Sequence, residues 1–200
     1  MKGSLIMVSF FVVGVLLQKF VGLPAFFHGM GVSYSVMLVL MLVVGIGIGI
    51  DEKALKALKG KSFKMMLVPI GTVVATLLTS IIITPFLGGM TIFDTMAVGS
   101  GFGYYSLSTV IITNAKGAEL GTIALVANIL REVLTILLAP LFVKVFGKLA
   151  PIASGASTTM DITLPSIVKF SGKEYAVLAI FNGIVLSFVV PILVSFFVSF

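Results

Sequence analysis

The chain has no cysteine, a single histidine and few charges, which make up ten percent of its 200 residues and include only seven acids. Without cysteine, disulfides and thiolate metal or redox centres are excluded. His28 lies in a connection between apolar runs, where it reads as an interfacial residue and not as a metal ligand. Gly45, Gly47 and Gly49 close an apolar run and do not join a strand to a helix, so a dinucleotide fingerprint is excluded. No cofactor and no metal is called for.

What is present is apolar. Hydrophobic residues make up 59% of the chain, against roughly 45 to 50% in a soluble domain, and the mean hydropathy is +1.26. One crossing of the hydrocarbon core takes about 20 apolar residues, so the length allows a handful of crossings and no separate soluble domain. The excess of thirteen Lys and Arg over seven Asp and Glu falls mostly in short connections. It reads as a topology signal and not as a nucleic-acid surface. The N-terminal run lacks an A-x-A-like cleavage site and is expected to be a first span.

Expected spans cover residues 5–24, 33–50, 65–87, 119–146 and 174–199. Segments 91–117 and 150–172 are long enough to cross but contain runs of Gly, Ser and Thr, and each Gly costs a helix roughly 1 kcal/mol relative to Ala. Both are expected to be broken or re-entrant. If both return to the side they came from, Lys2, the lysine-rich connection after residue 50, Lys144, Lys148, Lys169 and Lys173 all lie inside. The fold class is therefore an all-α integral membrane protein. About five transmembrane helices and two re-entrant or broken helices are expected in an inverted-repeat, transporter-like arrangement, with the N-terminus inside.

A weak internal repeat supports that expectation. Ser100-Gly101 and Ser154-Gly155 open the two broken segments, and Asn128 and Asn182 share the same offset of 54. The expected division is a three-span scaffold bundle, 1–90, and a transport core, 91–200, whose repeats are 91–146 and 150–200. Interrupted helices that meet near the midplane leave backbone groups able to bind ligands. Gly45 and Gly49 suit a small-residue packing face.

Asn128, Arg131, Glu132 and Thr135 fall at helical spacing and form one polar stripe on an apolar helix. Such a stripe must face protein or water, and an intramembrane acid is a functional candidate by default. The structural alternative is an Arg131–carboxylate pair with a group other than its neighbour Glu132. Asp161 sits among Thr158, Thr159 and Thr163, ahead of Pro165. That combination suits a polar cavity or a plain helix cap. Burial favours the protonated carboxyl and a bound cation the ionised one, so such an acid can exchange a proton for a cation. A cation channel is disfavoured because GFGYYS lacks the filter order TVGYG.

Three stretches in this order, GSGFGYYSLSTVIITNAKG, ANILREVLTILLAP and SGASTTMDITLPSIVKFSG, resemble the LysO-type lysine exporters. The resemblance implies a secondary transporter that exports L-lysine, and also thialysine, across the inner membrane in exchange for protons. Glu132 and Asp161 match the intramembrane acidic pair regarded as functional in that family. The mechanism it suggests has both acids holding the substrate ammonium groups, with Asn128, Arg131, Thr158 and Thr159 around them. The substrate carboxylate would sit at a half-helix N-terminus near Ser100, Tyr105 and Ser106, with Arg131 as a second candidate. Bacterial members carry further spans ahead of the point where this chain begins, which implies a homodimer or a second small membrane subunit. The alternatives are an accessory subunit of a split transporter and a sodium-coupled organic-anion carrier.

Overall fold

The computed structural model describes residues 63–200 continuously, together with Val13, Leu16, Leu17, Lys19, Phe20, Ser35 and Val39. Most of the expected spans 5–24 and 33–50, the lysine-rich connection, His28 and the Gly45/Gly49 face lie outside the described residues. Among the described residues every element is helical and there is no strand. The α-helices are α1 (Leu67–Ile83), α2 (Ile92–Gly99), α3 (Tyr105–Lys116), α4 (Ala118–Phe146), α5 (Ala150–Gly155), α6 (Leu164–Phe170) and α7 (Ala176–Val198). The stretches Leu67–Phe86 and Lys173–Val198 are each long and apolar enough to cross a membrane.

Local chemistry explains where the helices start and stop. Pro69 falls in the first turn of α1, where a missing N–H is tolerated. A capping box opens α2: Thr91 Oγ1 accepts from the Asp94 N–H at 3.1 Å, and Asp94 Oδ2 accepts from the Thr91 N–H at 3.1 Å. Replacing Thr91 with Ala removes half of that exchange. The expected cost is about 1 kcal/mol, read as a lowered midpoint of thermal unfolding in detergent.

The two Gly- and Ser-containing segments are interrupted within their sequence. The first leaves helical geometry after Gly99, and Phe102 takes the left-handed conformation with φ 46°. The second passes from α5 into a 3₁₀ turn, Ala156–Met160, and Ala156 has φ 51°. Phe102 and Ala156 are the only described non-Gly residues with positive φ, and they are 54 residues apart. Such conformations persist only where the surroundings dictate them.

Each interrupted segment folds back so that its two ends meet. Lys116, in the last turn of α3, lies 3.4 Å from Asp94, in the first turn of α2. Lys148, ahead of α5, lies 3.4 Å from Glu174, after α6. Between these two mouths runs α4, whose 29 residues span about 43 Å at 1.5 Å per residue. The first hairpin therefore opens at one end of α4 and the second at the other.

Packing joins the hairpins to the long helices. α7 packs on α2, α3 and the 3₁₀ turn, while α4 packs on α3, α5 and α2. The core where they meet contains Phe102, Leu107, Ile112, Ala156, Leu186, Val190 and Val194. The opposite face of α4 exposes Val126, Leu130, Leu134, Leu137 and Leu141 at helical spacing, an outward apolar stripe of the kind a lipid or helical neighbour covers.

Candidate functional site

The two interruptions touch. The Ser157 N–H and Oγ–H both donate to the Phe102 carbonyl, at 3.0 and 2.8 Å. Beside this junction is a cavity of about 160 Å³ lined by Gly103, Tyr104, Tyr105, Ser106, Glu132, Ser157, Thr158, Met160, Asp161, Ile162 and Ser187. It draws on four sources: the N-terminal turn of α3, the middle of α4, the 3₁₀ turn with the residues after it, and α7.

Glu132 and Asp161, far apart in sequence, line this one space. Glu132 is only 1% exposed, so its carboxylate is held away from bulk water in a place where an ammonium group would be a favourable neighbour. The lining also includes the first residues of α3. Helix N-termini carry partial positive charge and free N–H groups, an arrangement suited to a carboxylate. Met160 and Ile162 add apolar surface between the polar groups. The arrangement can therefore accept a small molecule with cationic groups, an apolar stem and one anionic group.

Of the residues expected from sequence, Tyr105, Ser106, Glu132, Thr158 and Asp161 line the cavity. Four others are placed elsewhere. Ser100 is fully buried behind the first interruption. Thr159 Oγ1 lies 2.7 Å from both the Ala156 and the Ala179 carbonyl oxygens, which share its one proton. Asn128 is buried against the first interruption, where Oδ1 accepts from the Gly103 N–H at 2.8 Å and Nδ2 donates to Val98 O at 3.2 Å. Arg131 turns away from Glu132, as residues adjacent on a helix must. It donates to Ser154 O at 2.9 Å and Ala153 O at 3.3 Å, at the C-terminal end of α5, and lies 5.7 Å from the centroid of the Phe102 ring. The structural alternative of an Arg131–carboxylate pair is thus replaced by contacts to backbone carbonyls. Thr135, in the same stripe, meets Ser154 Oγ at 2.6 Å.

Sequence reasoning did not single out Gly103, Tyr104, Ser157, Met160, Ile162 or Ser187 as site residues. A partial signal exists for Ser157, which stands 54 residues after Gly103. Ser187 carries none, because its approach to the cavity depends on how α7 packs on the 3₁₀ turn.

The sequence model of the lysine exporter LysO matches residues 8–198. The chain belongs to the LysO lysine exporter family. It is 42% identical over 119 residues to a Haemophilus influenzae protein named as a candidate lysine exporter, a match that covers 60% of each chain. It is 36% identical over 132 residues to the lysine exporter LysO of Escherichia coli, covering 66% of this chain and 44% of that protein. The matched stretches thus cover less than two thirds of each relative, 60% of the Haemophilus influenzae protein and 44% of the longer Escherichia coli protein. No solved structure matches it.

Proposed function

We propose that this family member is the transport core of a secondary transporter that exports L-lysine across a bacterial inner membrane in exchange for protons. The observation that carries the reading is the cavity at the junction of two interrupted helices, lined by both Glu132 and Asp161. Family membership and the names of the two relatives support the substrate. Lysine carries two ammonium groups and one carboxylate. The two acids would take the ammonium groups, and the N-terminus of α3, with Tyr105 and Ser106, would take the carboxylate.

In this scheme the deprotonated acids bind lysine from the cytoplasm, and protonation on the far side releases it. The two hairpins act as re-entrant segments from opposite membrane faces, in the inverted arrangement that supports alternating access. Their mouths at opposite ends of α4 favour it. The outward apolar faces of α1, α4 and α7 would meet the bilayer or further helices. Because the Escherichia coli relative is longer, a homodimer or a second small membrane subunit would complete the transporter.

The test is lysine counterflow in proteoliposomes. Saturable uptake of labelled lysine against internal lysine is expected, and it should be accompanied by proton movement under net flux. Rapid uncoupled current would point to a channel. Sodium-dependent transport of organic anions without lysine exchange would overturn the proposal. Transport that appears only when the product of a neighbouring reading frame is added would assign this chain to a split exporter.

A further inference from the structure

The two asparagines that share the 54-residue offset have one contact in common, and each serves a different wall of the cavity. Asn128 on α4 is 3% exposed and Asn182 on α7 is fully buried. Each Nδ2 reaches a carbonyl 30 residues earlier, Val98 O at 3.2 Å for Asn128 and Ile152 O at 3.4 Å for Asn182. Asn128 also accepts from the Gly103 N–H, the residue that leads directly into Tyr104, Tyr105 and Ser106. Gly101 fits tightly under it, since a Cβ there would lie 2.5 Å from Asn128 Nδ2. Asn182 also donates to Ala156 O at 3.0 Å and Thr159 Oγ1 at 3.3 Å. Those contacts hold the 3₁₀ turn that presents Ser157, Thr158 and Met160 and leads into Asp161.

We propose that Asn128 and Asn182 are positioning residues, each acting mainly on one end of the bound substrate. Asn128 aligns the α3 N-terminus with the substrate carboxylate, and Asn182 aligns Asp161 with an ammonium group. The inference rests on the transport reading above, because it assigns ends to an amino-acid substrate. Its physical basis is that each amide bridges one interrupted segment to one long helix. The two segments also meet where Ser157 donates to the Phe102 carbonyl, so each substitution should loosen the wall its own amide holds more than the other.

The experiment measures equilibrium binding of labelled lysine to the full chain in nanodiscs, competed by two analogues. Cadaverine lacks the carboxylate and norleucine lacks the side-chain ammonium. The unmodified chain is expected to prefer lysine over each by about tenfold or more, the scale of charge-assisted hydrogen bonds. In Asn128→Ala the preference over cadaverine should collapse while that over norleucine persists. In Asn182→Ala the pattern should reverse. Asn128→Asp and Asn182→Asp, whose neutral carboxyl keeps one donor and one acceptor, should restore most of each preference. If an alanine variant does not fold, Asn128→Ser or Asn182→Ser carries the same comparison. Parallel loss of both preferences in either asparagine variant, or no change in either ratio, overturns the inference. Failure of the unmodified chain to bind lysine, both alone and with the product of the neighbouring reading frame, would instead sink the transport reading, and this inference with it.

Discussion

Glu132→Gln and Asp161→Asn are each expected to lower net lysine export sharply. Both substitutions keep the size and hydrogen-bonding reach of the side chain and remove only its ability to ionise. Glu132 lies in a nearly sealed position, where removing one partner of a buried ion pair costs about 3 to 5 kcal/mol. At 1.4 kcal/mol per tenfold, that is a loss of about two to three and a half orders of magnitude in affinity. The check is lysine efflux from whole cells together with counterflow in proteoliposomes. The residual flux should also lose its dependence on an imposed pH gradient, because the group that carries the proton is gone. Asp161 is more exposed than Glu132, so water screens it better and the loss in Asp161→Asn should be the smaller of the two. Normal export by both variants would contradict the proposed mechanism. Normal export by Asp161→Asn alone would leave Glu132 as the coupling group.

The second large effect is on folding. At Gly183 an added Cβ would lie 2.7 Å from the Met160 backbone nitrogen and 2.8 Å from Ser157 O. Both are backbone atoms of the 3₁₀ turn and cannot rotate aside, so Gly183→Ala must push α7 off the second interruption. Overpacking of this kind costs about 1 to 3 kcal/mol, and more where the backbone has to move. For a chain of this size about 3 kcal/mol corresponds to a fall of roughly 6 to 12 °C in Tm, measurable by circular dichroism in detergent. Since Ser157 and Met160 line the cavity, lysine binding should weaken along with stability. Gly71, inside α1 with nothing within 4 Å of an added Cβ, is the control. Gly71→Ala should be neutral or stabilising by up to about 1 kcal/mol, because alanine is the better helix former. Equal destabilisation at both positions would show that close approach at Gly183 is not the cause.

Much of the described helical structure was legible because membrane composition is a strong signal. The runs 65–87, 119–146 and 174–199 correspond to the helices α1, α4 and α7, and the first and last of these lie in stretches long and apolar enough to cross a membrane. The interruptions at 91–117 and 150–172 were legible for the opposite reason, since Gly, Ser and Thr clusters weaken a helix in mid-segment. The weak repeat was visible as two asparagines at one offset, but their shared task was not. Spacing identifies equivalent positions, whereas the contacts to Val98, Gly103, Ile152 and Ala156 arise only when each hairpin packs on its long helix.

The polar stripe on α4 shows the same division. Periodicity places Asn128, Arg131, Glu132 and Thr135 along one side of the helix, yet it treats them as a single surface. In the fold they separate: Glu132 faces the cavity, Asn128 braces the first interruption, and Arg131 and Thr135 turn to the C-terminal end of α5. Sequence by itself determined that the chain is helical and apolar, where its helices weaken, and that Glu132 lies among apolar residues, because hydropathy and helix propensity are local quantities; Asp161, expected to be buried as well, is exposed. Tertiary structure alone decided that the two weak points meet, that Glu132 and Asp161 line one cavity, and that Arg131 is bonded to carbonyls instead of an acid. Those outcomes depend on contacts between residues some 20 to 55 positions apart, and local preference does not encode them.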